Sequence, residues 1–186
     1  MGIRRRKKDV ESPVEHIKTN IFISTCAVCS KCPCRIYANK DDKIILGVGN
    51  IYTDTVMILP SYDIKADIGY PTILKIMQDV YKNIVGKELL EDCYVTRTIK
   101  CFNKTDFNLE KDAIKSCFSN LLHEVSRIKP KKVIVLDKQI YDFGLYNCNK
   151  GKFTVKTVIS PGVMYYNNQK LKDIFIEQLT EAINDN

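Results

Sequence analysis

Residues 93–136 read CYVTRTIKCFNKTDFNLEKDAIKSCFSNLLHEVSRIKPKKVIVL, and this stretch decides the fold. It opens with Cys93 to Ile99, a β-branched and aromatic run that suits a pleated, half-buried strand. Leu109, Ile114, Cys117, Phe118, Leu121, Leu122, Val125 and Ile128 then form one apolar face over Leu109 to Ile128, with the spacing of a helix. Pro130 ends that helix, because its ring disfavours helical geometry in the residue before it. Lys132 to Leu136 follows as a short buried strand. Strand, helix and strand in this order make a crossover unit, in which two parallel strands are joined by a helix laid on the sheet.

The same alternation extends in both directions. Lys43 to Val48 reads as a strand running into a glycine turn, and Phe153 to Ile159 as a further strand. Pro71 to Val85 is a helix with Ile73, Leu74, Met77, Val80, Tyr81 and Ile84 on one face and a proline suited to its first turn. Leu171 to Ile183 is an amphipathic closing helix. The expected fold is a three-layer α/β/α sandwich around a central, mainly parallel, four-stranded sheet. Ligands of such sheets sit beyond the carboxyl ends of the strands. Those ends are expected at Gly47–Asp54, Arg97–Thr105, Leu136–Gln139 and Ser160–Val163.

The 186 residues suit one domain. Residues 1–20 read as a basic tail with a short amphipathic helix, Val10 to Ile17, and residues 21–186 as the folded domain. No apolar run reaches the roughly 18 residues that a membrane span needs. The charged N-terminus lacks the apolar core of a secretory signal, so a reducing, cytoplasmic setting is expected. The net charge of +7 would attract polyanions such as DNA, although a basic tail also serves solubility alone.

In that setting eight cysteines point to metal ligation or free thiols rather than to disulfides. Cys26, Cys29, Cys32 and Cys34 crowd into nine residues, and two thiols separated by two residues can bend around one metal ion or cluster corner. Cys101 follows a strand, and Cys117 lies on the apolar face of the next helix. Either of these two could instead be a small core residue. Cys93 and Cys148 look like spares. Zinc and iron–sulfur clusters both accept four thiolates, and spacing does not separate them.

Taken together, these segments resemble the iron–sulfur (family 4) uracil-DNA glycosylases, from about Cys26 to Leu179. The likeness rests on Cys29-Ser30-Lys31-Cys32-Pro33, on the strand running into Lys100-Cys101, on Cys117 in Ser116-Cys117-Phe118, on Lys129-Pro130-Lys131-Lys132-Val133-Ile134-Val135-Leu136, and on Ser160-Pro161. The resemblance implies a [4Fe–4S] cluster on Cys29, Cys32, Cys101 and Cys117, with zinc as the alternative. It also implies DNA as partner and base flipping into a pocket at modest unstacking cost.

The positions that carry the family's chemistry depart from its pattern. The first motif, normally Gly-Glu-Ala-Pro-Gly, is met by Leu46-Gly47-Val48-Gly49-Asn50-Ile51-Tyr52-Thr53-Asp54, which leaves Asn50 or Asp54 to position water. Asn50 is equally suited to a turn. Arg97 stands where an asparagine normally reads uracil, and a guanidinium only donates hydrogen bonds. Ser160 replaces the histidine of the last motif. Tyr52, Tyr62 and Tyr70 are candidate stacking platforms that packing would equally explain, and Lys100 is a candidate DNA contact. Two readings follow: a divergent glycosylase excising a damaged base, or an inactive relative that binds nucleic acid or a protein partner in a replication or repair complex.

Overall fold

In the computed structural model the described residues are 47–63, 65–100, 107–137 and 152–185, with the side chains of 107–111 left aside. The expected Val10–Ile17 helix, the Cys26–Cys34 loop, Cys101 and Cys148 lie outside them, as does most of the Lys43–Val48 strand. The sheet strands are β1 (Val48–Gly49), β2 (Thr55–Leu59), β5 (Tyr94–Arg97), β6 (Lys132–Val135) and β7 (Thr154–Thr157), and β3 (Tyr62–Asp63) with β4 (Ile68–Gly69) forms a separate antiparallel pair. The helices are α1 (Tyr70–Val85), α2 (Leu89–Asp92), α3 (Phe107–Ile128) and α4 (Gln169–Asn184), with a 3-10 turn at Pro161–Tyr165.

The main sheet is mixed and five-stranded, in the order β1-β5-β2-β6-β7. β5, β2, β6 and β7 run parallel, and β1 pairs antiparallel with the outer edge of β5. The expectation of an α/β fold holds in this form, with one more strand than expected. The central strand β2 is also not among those expected. Its TVMIL run is short and apolar like Lys43 to Val48, and periodicity alone does not rank two such runs. β2 takes the middle of the sheet because it pairs on both sides with parallel strands, Met57 opposite Val95 and Ile134 at once.

β2 centres the sheet, and the chain leaves it in opposite directions. It passes through α1 to reach β5 on one side, then through α3 to reach β6 on the other. Crossovers of one hand that travel in opposite directions lay their helices on opposite faces. Accordingly Ile73, Met77 and Tyr81 of α1 and Phe175 and Leu179 of α4 pack with Met57, Leu59, Val95 and Ile134. Ala113, Ile114, Cys117, Leu121 and Val125 of α3 pack with Val56, Ile58, Tyr94 and Val133. Strand alternation supplies both cores, since successive side chains of β2 point to opposite faces. In sheets of this kind the ligand crevice falls where two strands, here β2 and β5, end side by side and their following segments turn to opposite faces. Among the described residues no helix is long and apolar enough to cross a membrane.

Candidate functional site

The carboxyl ends of the parallel strands collect buried and half-buried polar groups. After β2 come Ser61 and Asp63, after β5 come Thr98, Ile99 and Lys100, after β6 comes Asp137, and beyond β7 comes Ser160. Ser61 bridges the first two strands: its Oγ accepts from the Ile99 amide at 3.1 Å and donates to the Ile99 carbonyl at 3.2 Å. Thr98 donates to Asp137 at 2.8 Å.

Asp63 is the best-held carboxylate of the crevice. Its Oδ2 accepts from Ser160 Oγ at 2.7 Å, and its Oδ1 accepts from Tyr166 OH at 2.8 Å and from the Ala66 amide at 3.0 Å. Ser160 in turn accepts from the Gly162 amide at 3.2 Å and caps the 3-10 turn. Burial and the hydrogen bond to Asp63 push the Tyr166 hydroxyl up to about 12, so it stays a donor across the ordinary pH range. The close approach needs a glycine at 162, where a Cβ would sit 2.1 Å from Asp63 Oδ2.

Arg97 closes β5 with only 2% of its surface exposed. Its guanidinium lies 4.8 Å from the centre of the Tyr70 ring, a cation–π distance, and donates to the Lys100 carbonyl at 3.4 Å. The Tyr70 hydroxyl is buried and makes no hydrogen bond to the other described residues. Burial raises it to about 12 against the pull of Arg97.

Lys100 turns inward. Its ammonium pairs with Glu124 of α3 and with Thr96 Oγ1, and both charged side chains are sealed from solvent. Glu124 also accepts from Tyr94 OH at 2.6 Å, Thr96 Oγ1 at 2.8 Å and the Gly47 amide at 2.8 Å. Burial alone would push the Glu124 carboxyl up, but Lys100 and these donors hold it below the usual carboxylate range. The amide of residue 47 reaches Glu124 because a Cβ there would meet the Tyr94 ring at 2.5 Å.

Several site residues read from the sequence are placed differently. The loop Gly47–Asp54 lies at the amino end of the parallel strands, because β1 runs antiparallel to them. Asn50 therefore stands apart from Arg97 and Ser160. Its amide holds a turn, accepting from the Tyr52 amide at 2.9 Å and donating to the Glu91 carbonyl at 3.0 Å. Asp54 pairs at the surface with Lys131 at 2.7 Å. Tyr52 is 90% exposed on the same side. Lys100 is not a surface group open to phosphate, since it is buried against Glu124. Arg97 and Ser160 do lie at the carboxyl side, as expected. Asp63, Tyr166 and Glu124 were missed, and Tyr70, a candidate stacking aromatic, packs against Arg97. Once β2 is placed, the signal for Asp63 is its position four residues beyond the strand end.

Of the four expected ligands, only Cys117 falls among the described residues. It is buried on α3, in the core on that face of the sheet. Lys100 immediately precedes Cys101 in the sequence. Among the described residues Cys117 is the one thiol on this face of the sheet, and the neighbouring Lys100 ammonium is taken by Glu124. Among the described residues no three His, Cys, Asp or Glu side chains converge as a metal site. Cys93 is buried on the other face of the sheet, beside Tyr81 OH at 3.6 Å, and burial pushes its thiol up to about 11, which suits a core residue. Compared with known proteins, the chain matches no family model and no curated protein.

Proposed function

We propose that the chain is a divergent uracil-DNA glycosylase-like iron–sulfur protein that binds DNA. In this reading Cys29, Cys32, Cys101 and Cys117 hold a [4Fe–4S] cluster that serves as scaffold, tying the N-terminal loop to the β5–α3 unit. The observation that carries the proposal is the placement of Arg97, Asp63 and Ser160 at the carboxyl ends of four parallel strands, with Ser160 bonded to Asp63. The finer description of the fold as a uracil-DNA glycosylase-like sandwich belongs to the same proposal. Arg97 lies against Tyr70, Ser160 is engaged by Asp63, and Lys100 by Glu124. Groups so engaged suit holding a shape more than driving hydrolysis. Binding, alone or within a replication or repair complex, is thus preferred to base excision.

Protein purified without oxygen should carry iron, absorb broadly near 400 nm, and lose both on Cys117→Ser. A colourless protein with one zinc would defeat the cluster. Affinity for duplex DNA should fall steeply with salt, as it does when several phosphates are neutralised. Binding indifferent to salt would remove DNA as the partner.

Asp63 keeps a second reading open, in which this carboxylate positions water for excision. The two readings separate on oligonucleotides bearing uracil or hypoxanthine. Binding alone leaves no abasic sites. Abasic sites that vanish in Asp63→Asn would favour excision.

A further inference from the structure

At the opposite end of the sheet the last turns of α3 and the approach to β7 enclose a pocket of about 600 Å³, within the usual range for small-molecule sites. Leu122, Val125, Pro130 and Phe153 form its apolar wall, and His123, Ser126, Lys129 and Lys152 supply its polar groups. None of the lining residues is acidic. Leu122 and Ser126 lie one turn apart on the same stripe of α3, and Lys129 follows directly after the helix ends. The Lys129 backbone is fixed: it adopts a left-handed φ of 56°, its amide closes α3 on the Val125 carbonyl at 3.1 Å, and Pro130 follows, while the Lys129 side chain is exposed.

We propose that this pocket binds a nucleoside monophosphate, with the base against Phe153, Leu122 and Pro130 and the phosphate on Lys129 and Lys152. The charge pattern selects an anion. The carbonyl end of α3 carries partial negative charge and repels anions, so the two lysines must supply the attraction against it. The apolar wall selects a flat ring over a sugar phosphate, which would want more hydrogen-bonding partners than Ser126 and His123. The site is separate from the crevice and does not depend on the cluster.

Calorimetric titration of the full chain with dTMP, thymidine and inorganic phosphate tests the assignment. dTMP should bind at least tenfold more tightly than either fragment. Lys152→Glu, at an exposed position outside both cores, should weaken dTMP at least tenfold while the circular dichroism spectrum stays unchanged. Lys129→Glu should act in the same direction. Thymidine binding as well as dTMP, a Lys152→Glu protein titrating like the parent, or no heat with dTMP would each overturn it. The source of the nucleotide is tested by competition. An unphosphorylated oligo-dT strand should not displace dTMP, and displacement would make the pocket part of a strand-binding groove instead.

Discussion

Replacing Glu124 by alanine is expected to cost about 3–5 kcal/mol, the range for breaking a buried ion pair from one side. The loss would leave the Lys100 ammonium sealed from water without its counter-charge, and would strip acceptors from Tyr94 OH, Thr96 Oγ1 and the Gly47 amide. Urea unfolding followed by circular dichroism measures it. Replacing both partners together, Lys100→Met with Glu124→Leu, should recover the part of the loss that comes from the unpaired charge, and leave the part that comes from the donors Glu124 had satisfied. If the double variant is as unstable as Glu124→Ala, the burial of charge is not the cause. The pH dependence has a definite sign. Glu124 is held below its unfolded pKa, so its contribution is complete above about pH 4–5 and fades as acid protonates the folded carboxylate. Glu124→Gln should therefore flatten the acid limb of the stability curve.

The second large effect concerns the contact between Gly162 and Asp63. Gly162→Ala would drive a methyl group to 2.1 Å from Asp63 Oδ2, and the carboxylate must move away from Ser160 and Tyr166. Overpacking of this kind costs about 1–3 kcal/mol. Asp63→Ala alone orphans Ser160 Oγ, Tyr166 OH and the Ala66 amide, a comparable loss of roughly 2–4 kcal/mol from several hydrogen bonds. The two changes share one cause and should not add. In the Asp63→Ala background Gly162→Ala should cost less, because the Oδ2 and Cγ atoms it collides with are gone and only the Cβ contact at 2.8 Å remains. A double-mutant cycle by thermal unfolding reads this directly, and strict additivity would refute the contact.

Much of the architecture was legible in the sequence because its helices and most of its strands carry strong local signals. The stretch from Cys93 to Leu136 folds as strand, helix and strand within a residue or two of the expected limits, and Pro71 and Pro130 mark a start and an end as anticipated. The misplacement of β2 came from a property that local patterns lack. TVMIL and KIILGV are alike as strings, and only pairing to two neighbours distinguishes the central strand. From that one substitution the errors at the site follow. Taking the Gly47–Asp54 loop as a carboxyl end made Asn50 and Asp54 candidates, and left Asp63 unnoticed. Lys100 was misassigned for a different reason. Lysine is seldom buried, and its partner Glu124 lies a whole helix away, so nothing near it in the chain announces the pairing.

The central place of β2 has a consequence for how the chain is made. β2 is translated before both of its partners, since Val56 pairs with Tyr94 and later with Val133. At about 5–20 residues per second, the strand waits roughly 4–15 s after it is synthesised before the second partner exists. During that interval TVMIL is an apolar, uncharged template open on two edges, the kind of segment that recruits other nascent chains. Asp54 before it and Pro60 after it are the residue types that interrupt such recruitment. Their value to the protein is thus greatest on the ribosome, before the sheet that finally buries this strand has come together.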